Sequence, residues 1–211
     1  MISLSIIFSG RGTNAESIIK SIFDKKLNFN IKKVVCNNID APGITSLKKY
    51  NIETTIINKV SYKNKDLYNI DLEKILDPSV NDILLLCGYM SKIPQHIINS
   101  YRGNIINIHP SLLPKYKGLN THNQVILNKD QYHGCSTHYV TNDIDCGPVI
   151  AQYSIPIQNN EDAVGLAKKI LHFEHKLFFE TLKMLENNYI KLVENKIFFK
   201  GSLLSKPIKF N

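Results

Sequence analysis

The chain has 211 residues, 43% of them hydrophobic, and 26 basic against 18 acidic side chains for a net charge of +8. That length can enclose one substantial core; no stretch reaches the roughly 20 apolar residues of a membrane span, so a cytoplasmic protein with no membrane partner is expected. The cysteines Cys36, Cys87, Cys135 and Cys146 are scattered without CxxC spacing, which excludes a disulfide framework or zinc knuckle, and the charge is spread over lysines with only Arg11 and Arg102 as arginines, which favours small anionic substrates over nucleic acid.

The first half alternates apolar β-branched runs with amphipathic stretches. Ile2–Ser9 precedes Ala15–Phe23, Ile31–Cys36 precedes Ile44–Tyr50, Thr54–Ile57 precedes Leu67–Leu76, and Asp82–Leu86 follows. Runs such as Ile83-Leu84-Leu85-Leu86 suit strands covered on both faces, and the connections are long enough for helical crossovers. The expected class is α/β, a mostly parallel twisted sheet flanked by helices.

From Gly103 the texture changes. A strand-like Asn104–Ile108 runs into His109-Pro110-Ser111-Leu112-Leu113-Pro114, where two prolines forbid a regular helix and predict a shaped loop. A short helix is expected over Thr121–Leu127, then strands over Gly134–Val140 and Pro148–Ile157, joined by a polar loop carrying Asp145. Glu161 to Asn187 reads as one long helix, and Tyr189–Val193 with Lys196–Phe199 as a terminal hairpin. The expected organisation is a single domain over 1–211, with a βαβ half in 1–100 and a second half in 101–211.

Three groups of residues could carry chemistry. Ser9-Gly10-Arg11-Gly12-Thr13-Asn14 lies between the first strand and first helix, where backbone N–H groups and the helix dipole favour an anion. With Ala15 it also fits a dinucleotide spacing, but the acidic residue that would hold a ribose at the end of the second strand is replaced by Asn37-Asn38. Asn107 and His109 are two apart on a strand and share a side, and with Asp145 they could serve an acyl or formyl transfer, which needs oxyanion donors and a proton acceptor. His133, His138, His172 and His175 with Glu174 lack metal-ligand spacing, and no metal is expected.

The motifs Phe8-Ser9-Gly10-Arg11-Gly12-Thr13-Asn14, Cys87-Gly88-Tyr89-Met90, Asn107-Ile108-His109-Pro110-Ser111-Leu112-Leu113-Pro114 and Asp145-Cys146-Gly147-Pro148 together resemble the folate-dependent phosphoribosylglycinamide formyltransferase family over nearly the whole chain. The resemblance implies a Rossmann-like formyltransferase fold, 10-formyltetrahydrofolate as co-substrate and no metal. It also implies small-molecule partners only, in a monomer or homodimer. Asn107, His109 and Asp145 match the family's catalytic residues, Gly12, Thr13, Asn14 and Glu174 its ribonucleotide contacts. Met90, Ser91, Lys92 and Ile93, with Thr141, Asn142, Asp143, Ile144 and Asp145, match its folate contacts. Departures fall at Ser91-Lys92, where an arginine is usual, and at Lys117 and Asn120, where proline and histidine are common. The chain's length is shorter than expected of the related tRNA formyltransferases and formyltetrahydrofolate hydrolases. A nicotinamide oxidoreductase or a binding module would use the same first loop but lacks the acidic ribose partner.

Overall fold

The computed structural model describes residues 2–79 and 82–211. The chain divides into two compact units, Met1–Ile106 and Asn107–Asn211. The division falls inside a strand, six residues beyond the boundary at 100 that the sequence suggests.

In the first unit, β1 (Ser3–Phe8), β2 (Asn30–Cys36), β3 (Thr55–Ile56) and β4 (Asp82–Leu86) lie in the order β4-β1-β2-β3, every pair parallel. Parallel pairing follows from the apolar runs: Leu4, Ile6, Ile7 and Phe8 are fully buried, as are Leu84 and Leu85, so both strand faces need cover. Helix α1 (Thr13–Phe23) gives part of that cover through Ala15, Ile18 and Ile19, spaced along one face. Each large aliphatic side chain so buried contributes about 1.5 to 3 kcal/mol. Helices α2 (Pro42–Leu47) and α3 (Lys65–Leu76) provide the other crossovers, α2 opening with a proline and α3 capped by Asn64, whose side chain accepts from the Leu67 N–H at 3.0 Å. A short α4 (Gln95–Ser100) follows β4 and is too brief to show a period in the sequence. Asp82 is buried at the head of β4 but ion-paired with Lys32 on β2 at 2.8 Å.

In the second unit, the Asn107–His109 part of β5 (Ile105–His109) neighbours β6 (Tyr132–Tyr139), which pairs antiparallel with β7 (Val149–Pro156). The strand β11 (Ile208–Phe210) adds in parallel to β7; three residues after a proline gave no strand signal in the sequence. Helix α5 (Thr121–Leu127) and the long α6 (Ala163–Glu186) pack in this unit, α6 starting at Asp162, whose carboxylate accepts from the Gly165 N–H at 2.7 Å. Its buried Leu166, Ile170, Glu174, Leu177, Phe178, Thr181, Leu182 and Leu185 recur at three and four residues, a stripe that is apolar apart from the Glu174 carboxylate and the Thr181 hydroxyl. The expected terminal hairpin forms as β8 (Ile190–Val193) and β9 (Lys196–Phe199), extended by the two-residue β10 (Ser202–Leu203).

Gly134 shows how tightly β6 is held. A Cβ there would lie 1.9 Å from the Tyr153 carbonyl oxygen and 2.7 Å from Leu112. Since the nearest atom is backbone, Gly134→Ala must displace β7, and a loss of more than about 3 kcal/mol in urea unfolding is expected. A loss under about 1 kcal/mol would show that the two strands give way without strain.

Candidate active site

Two residues of one strand and a third from far along the sequence meet in the second unit. Asn107 and His109 project from the same side of β5, as their spacing requires. Asp145 comes back to them from the β6–β7 connection, and its φ of +50° is a left-handed conformation that a non-glycine residue adopts only where its surroundings hold it. The neighbouring Gly147 admits no side chain, because a Cβ would sit 1.8 Å from the Tyr139 carbonyl oxygen. That close approach folds the loop back on the end of β6.

The Asp145 carboxylate is gripped from several directions. Its Oδ2 accepts from the Gly118 N–H at 2.9 Å and stands 3.3 Å from His109 Nδ1. Its Oδ1 accepts from Asn107 Nδ2 at 3.4 Å and lies 3.4 Å from His138 Nε2. The same Asn107 amide nitrogen lies 3.1 Å from His138 Nε2, while His138 Nδ1–H donates to the Tyr139 carbonyl at 2.8 Å. His138 is therefore a fourth member of the cluster. Its place opposite Asn107 depends on the β5–β6 register and on the irregularity between Thr137 and His138, neither of which a single sequence displays.

His109 is 4% exposed. Its Nε2–H donates to the Tyr116 carbonyl at 2.8 Å, and its Nδ1 faces Asp145. Both ring nitrogens thus meet acceptors, which favours the protonated ring, but burial outweighs them and holds the pKa below the ordinary histidine value. For Asp145, burial acts to raise the pKa, yet His138, His109 and the Gly118 N–H together hold it below the usual carboxylate range. The site so keeps a charged carboxylate beside a ring whose charging burial disfavours. This arrangement can polarise a carbonyl through the Asn107 amide and a charged imidazole and take a proton from an attacking amine.

Of the expected ribonucleotide contacts, Glu174 is in this unit, buried on α6. Gly12, Thr13 and Asn14 are in the first unit, at the start of α1. Gly12 is the residue before the helix with φ +65°, and a Cβ on it would lie 3.3 Å from both Gly43 and the Phe8 ring. Gly43 is pressed in turn against the Gly10 and Arg11 carbonyls, each 2.9 Å from the Cβ it lacks. The loop therefore lies flat on α2, with the α1 N-terminus at its end. Asn38, where a dinucleotide fold would have an acidic residue, donates to the Ser9 carbonyl at 3.4 Å and accepts from the Asp40 N–H at 3.0 Å, so it serves the loop itself.

The expected folate residues fall in two places. Met90, Ser91, Lys92 and Ile93 follow β4 in the first unit; Met90 is 73% exposed, its N–H donates to Ser9 Oγ at 2.9 Å, Ser91 meets Asn37 at 3.4 Å, and Ile93 is buried. Thr141, Asn142, Asp143 and Ile144 form the loop leading to Asp145 in the second unit, with Ile144 60% exposed. Of the departures, Lys117 donates to Cys146 Sγ at 3.0 Å, and Asn120 stands before α5 in a left-handed conformation without a side-chain capping bond. Of the remaining histidines, His133 pairs with His122 at 2.9 Å rather than with His138.

The formyl transferase family pattern matches residues 3–182, and the chain belongs to that family. Within it, the chain is 30% identical over 202 residues to a phosphoribosylglycinamide formyltransferase of Escherichia coli (strain K12), covering 96% of this chain and 95% of that one. The solved phosphoribosylglycinamide formyltransferase of Coxiella burnetii superposes with a TM-score of 0.91 at 33% identity, over 100% of this chain and 99% of that one. A trifunctional purine biosynthetic protein of Bos taurus is 30% identical over 192 residues, of whose length the match spans 19%.

The His122–His133 pair has a measurable cost in acid. Burial, with His122 alongside, pushes His133 down to about 4. The unfolded chain takes up this proton near pH 6.5 and the folded chain only near 4, so stability is full above 6.5 and falls as the pH drops through that window. Between pH 7 and pH 5 this histidine accounts for about 2 kcal/mol of lost stability. Urea unfolding of His133→Gln is expected to show a correspondingly smaller difference between the two pH values, and an unchanged difference would assign the acid sensitivity elsewhere.

Proposed function

We infer that the chain transfers the formyl group of 10-formyltetrahydrofolate to the amine of 5′-phosphoribosylglycinamide, releasing tetrahydrofolate and formylglycinamide ribonucleotide in purine biosynthesis. The observation that carries this reading is the convergence of Asn107, His109 and Asp145, in a chain whose family transfers formyl groups. The partners are these small molecules, in a cytoplasmic monomer or homodimer.

In this reading Gly12, Thr13 and Asn14 receive the 5′-phosphate at the α1 N-terminus, where N–H groups and the helix dipole attract an anion. The net charge of +8 assists its approach. Glu174 contacts the ribonucleotide. Met90, Ser91, Lys92 and Ile93 and the loop Thr141–Asp145 contact the folate, the exposed Met90 and Ile144 offering apolar surface to a flat ring.

The transfer forms an N–C bond between the glycinamide nitrogen and the formyl carbon and breaks the C–N bond to the folate. When the amine attacks, the formyl oxygen becomes negative, and the Asn107 amide and the positive charge of the protonated His109 ring stabilise it. That negative charge offsets the burial cost of protonated His109, so the ring becomes charged as the intermediate forms. Asp145, 3.3 Å from His109 Nδ1, stabilises the charged ring and directs the proton from the attacking nitrogen towards the departing one.

Two measurements test this. Tetrahydrofolate is expected to appear from 10-formyltetrahydrofolate only when the ribonucleotide is present; equal release without it would make the chain a hydrolase. Asp145→Asn keeps the shape but loses the charge and turns one of the two acceptor oxygens into a donor, so kcat is expected to fall by about 100-fold or more while KM for both substrates changes little. Near-normal turnover by this variant would remove Asp145 from the chemistry.

A further inference from the structure

The ring nitrogen of His109 that does not face Asp145 is held by a backbone carbonyl, that of Tyr116, at 2.8 Å. A carbonyl points where its peptide plane is set, and this plane follows a residue in an unfavourable conformation: Tyr116 has φ +55°, a left-handed state costing an L-residue roughly 1 to 2 kcal/mol. Something must hold it there, and the side chain does. The Tyr116 hydroxyl donates to Asp130 Oδ2 at 3.0 Å and accepts from Asn128 Nδ2 at 2.9 Å. Asp130 Oδ2 also accepts from Lys115 Nζ at 3.0 Å, so one carboxylate just beyond α5 ties down two consecutive residues of the loop.

Two residues further, the Gly118 N–H donates to Asp145 Oδ2 at 2.9 Å, with Gly118 at φ +80°. The segment 116–118 thereby touches both His109 and Asp145, one through a carbonyl and the other through an N–H. We propose that Tyr116 and Asp130 form a clasp that positions His109 and Asp145 for formyl transfer, acting through the backbone of 116–118 and without touching substrate. The proposal rests on the roles inferred above for those two residues. Transfer depends on geometry to well under 1 Å, so loosening this segment is expected to slow the reaction without weakening binding.

Tyr116→Phe is the direct test, because it keeps the ring and the carbonyl and removes only the hydroxyl. It is expected to lower kcat about 10-fold, leave KM for both substrates within about twofold and keep the unfolding midpoint close to that of the parent. In a ¹⁵N-histidine-labelled protein it is also expected to shift the His109 Nε2 resonance, a signature that general loss of stability would not produce. Asp130→Asn should reproduce both effects, and Asp130→Ala should exceed it; these variants stand in if Tyr116→Phe folds poorly. Parent-like kcat in Tyr116→Phe and Asp130→Asn, or a lowered kcat with the His109 resonance unmoved, would overturn the clasp. His109→Ala distinguishes this failure from that of the underlying reading: parent-like turnover there would remove His109 from the chemistry, whatever the Tyr116 and Asp130 spectra show.

Discussion

The second unit is arranged around the problem of holding one charged carboxylate in a largely closed place. Asp145 keeps its charge because it receives an N–H from Gly118, an amide from Asn107 and two histidine rings at 3.3 and 3.4 Å. Each of these partners must be delivered to within a fraction of an ångström, since removing one leaves a desolvated charge that costs several kcal/mol. The strands supply the amide and the rings, and irregular loops supply the rest. Gly147, with no room for a Cβ, is as necessary to this arrangement as the polar groups themselves.

The loop after β5 meets the same demand by a different route. Residues Ser111 to Gly118 contain no helix or strand, so their backbone groups need partners from elsewhere. Ser136 Oγ donates to the Ser111 carbonyl at 2.6 Å and accepts from the Leu113 N–H at 3.1 Å, while Gln152 donates to the Leu113 carbonyl at 2.8 Å. Ser111 Oγ donates to the Lys115 carbonyl at 2.6 Å. A buried hydroxyl from β6, an amide from β7 and the loop's own Ser111 thus do for the loop what a ladder does for a strand, which lets an irregular segment carry Tyr116 and Gly118 to fixed places.

How much of this the sequence displays follows from the range of each interaction. Apolar runs in β1 and β4 and the stripe on α6 are local signals, and their elements form within a few residues of where periodicity places them. The pair Asn107 and His109 is legible because two residues on one strand share a face. That Asp145 joins them is not, from spacing: it lies 36 and 38 positions further along the chain, and only the resemblance to a family supplies the link. His138, Tyr116 and Asp130 illustrate the remainder. His138 is placed by a strand register, Tyr116 acts through its carbonyl, which every residue possesses, and Asp130 reaches the site through a hydroxyl. β11 and α4 are too short to carry a period at all.

The left-handed residues draw these strands together. Tyr116, Gly118, Asn120 and Asp145 all have positive φ, three of them with side chains, and all lie in the two loops that meet at the carboxylate. Only Gly118 adopts that conformation without steric cost. Tyr116 is kept there by Asp130 and Asn128 and Asp145 by its donors, while Asn120 stands at the residue before α5. Strain of this kind, of order 1 kcal/mol per residue, is sustained only where the surrounding hydrogen bonds over-determine the chain. Other left-handed residues, such as Asp77 after α3 and Asn188 after α6, stand where a helix ends; in these two loops the same conformation marks the place at which backbone regularity has been exchanged for the fixed orientation of a ring and a carboxylate.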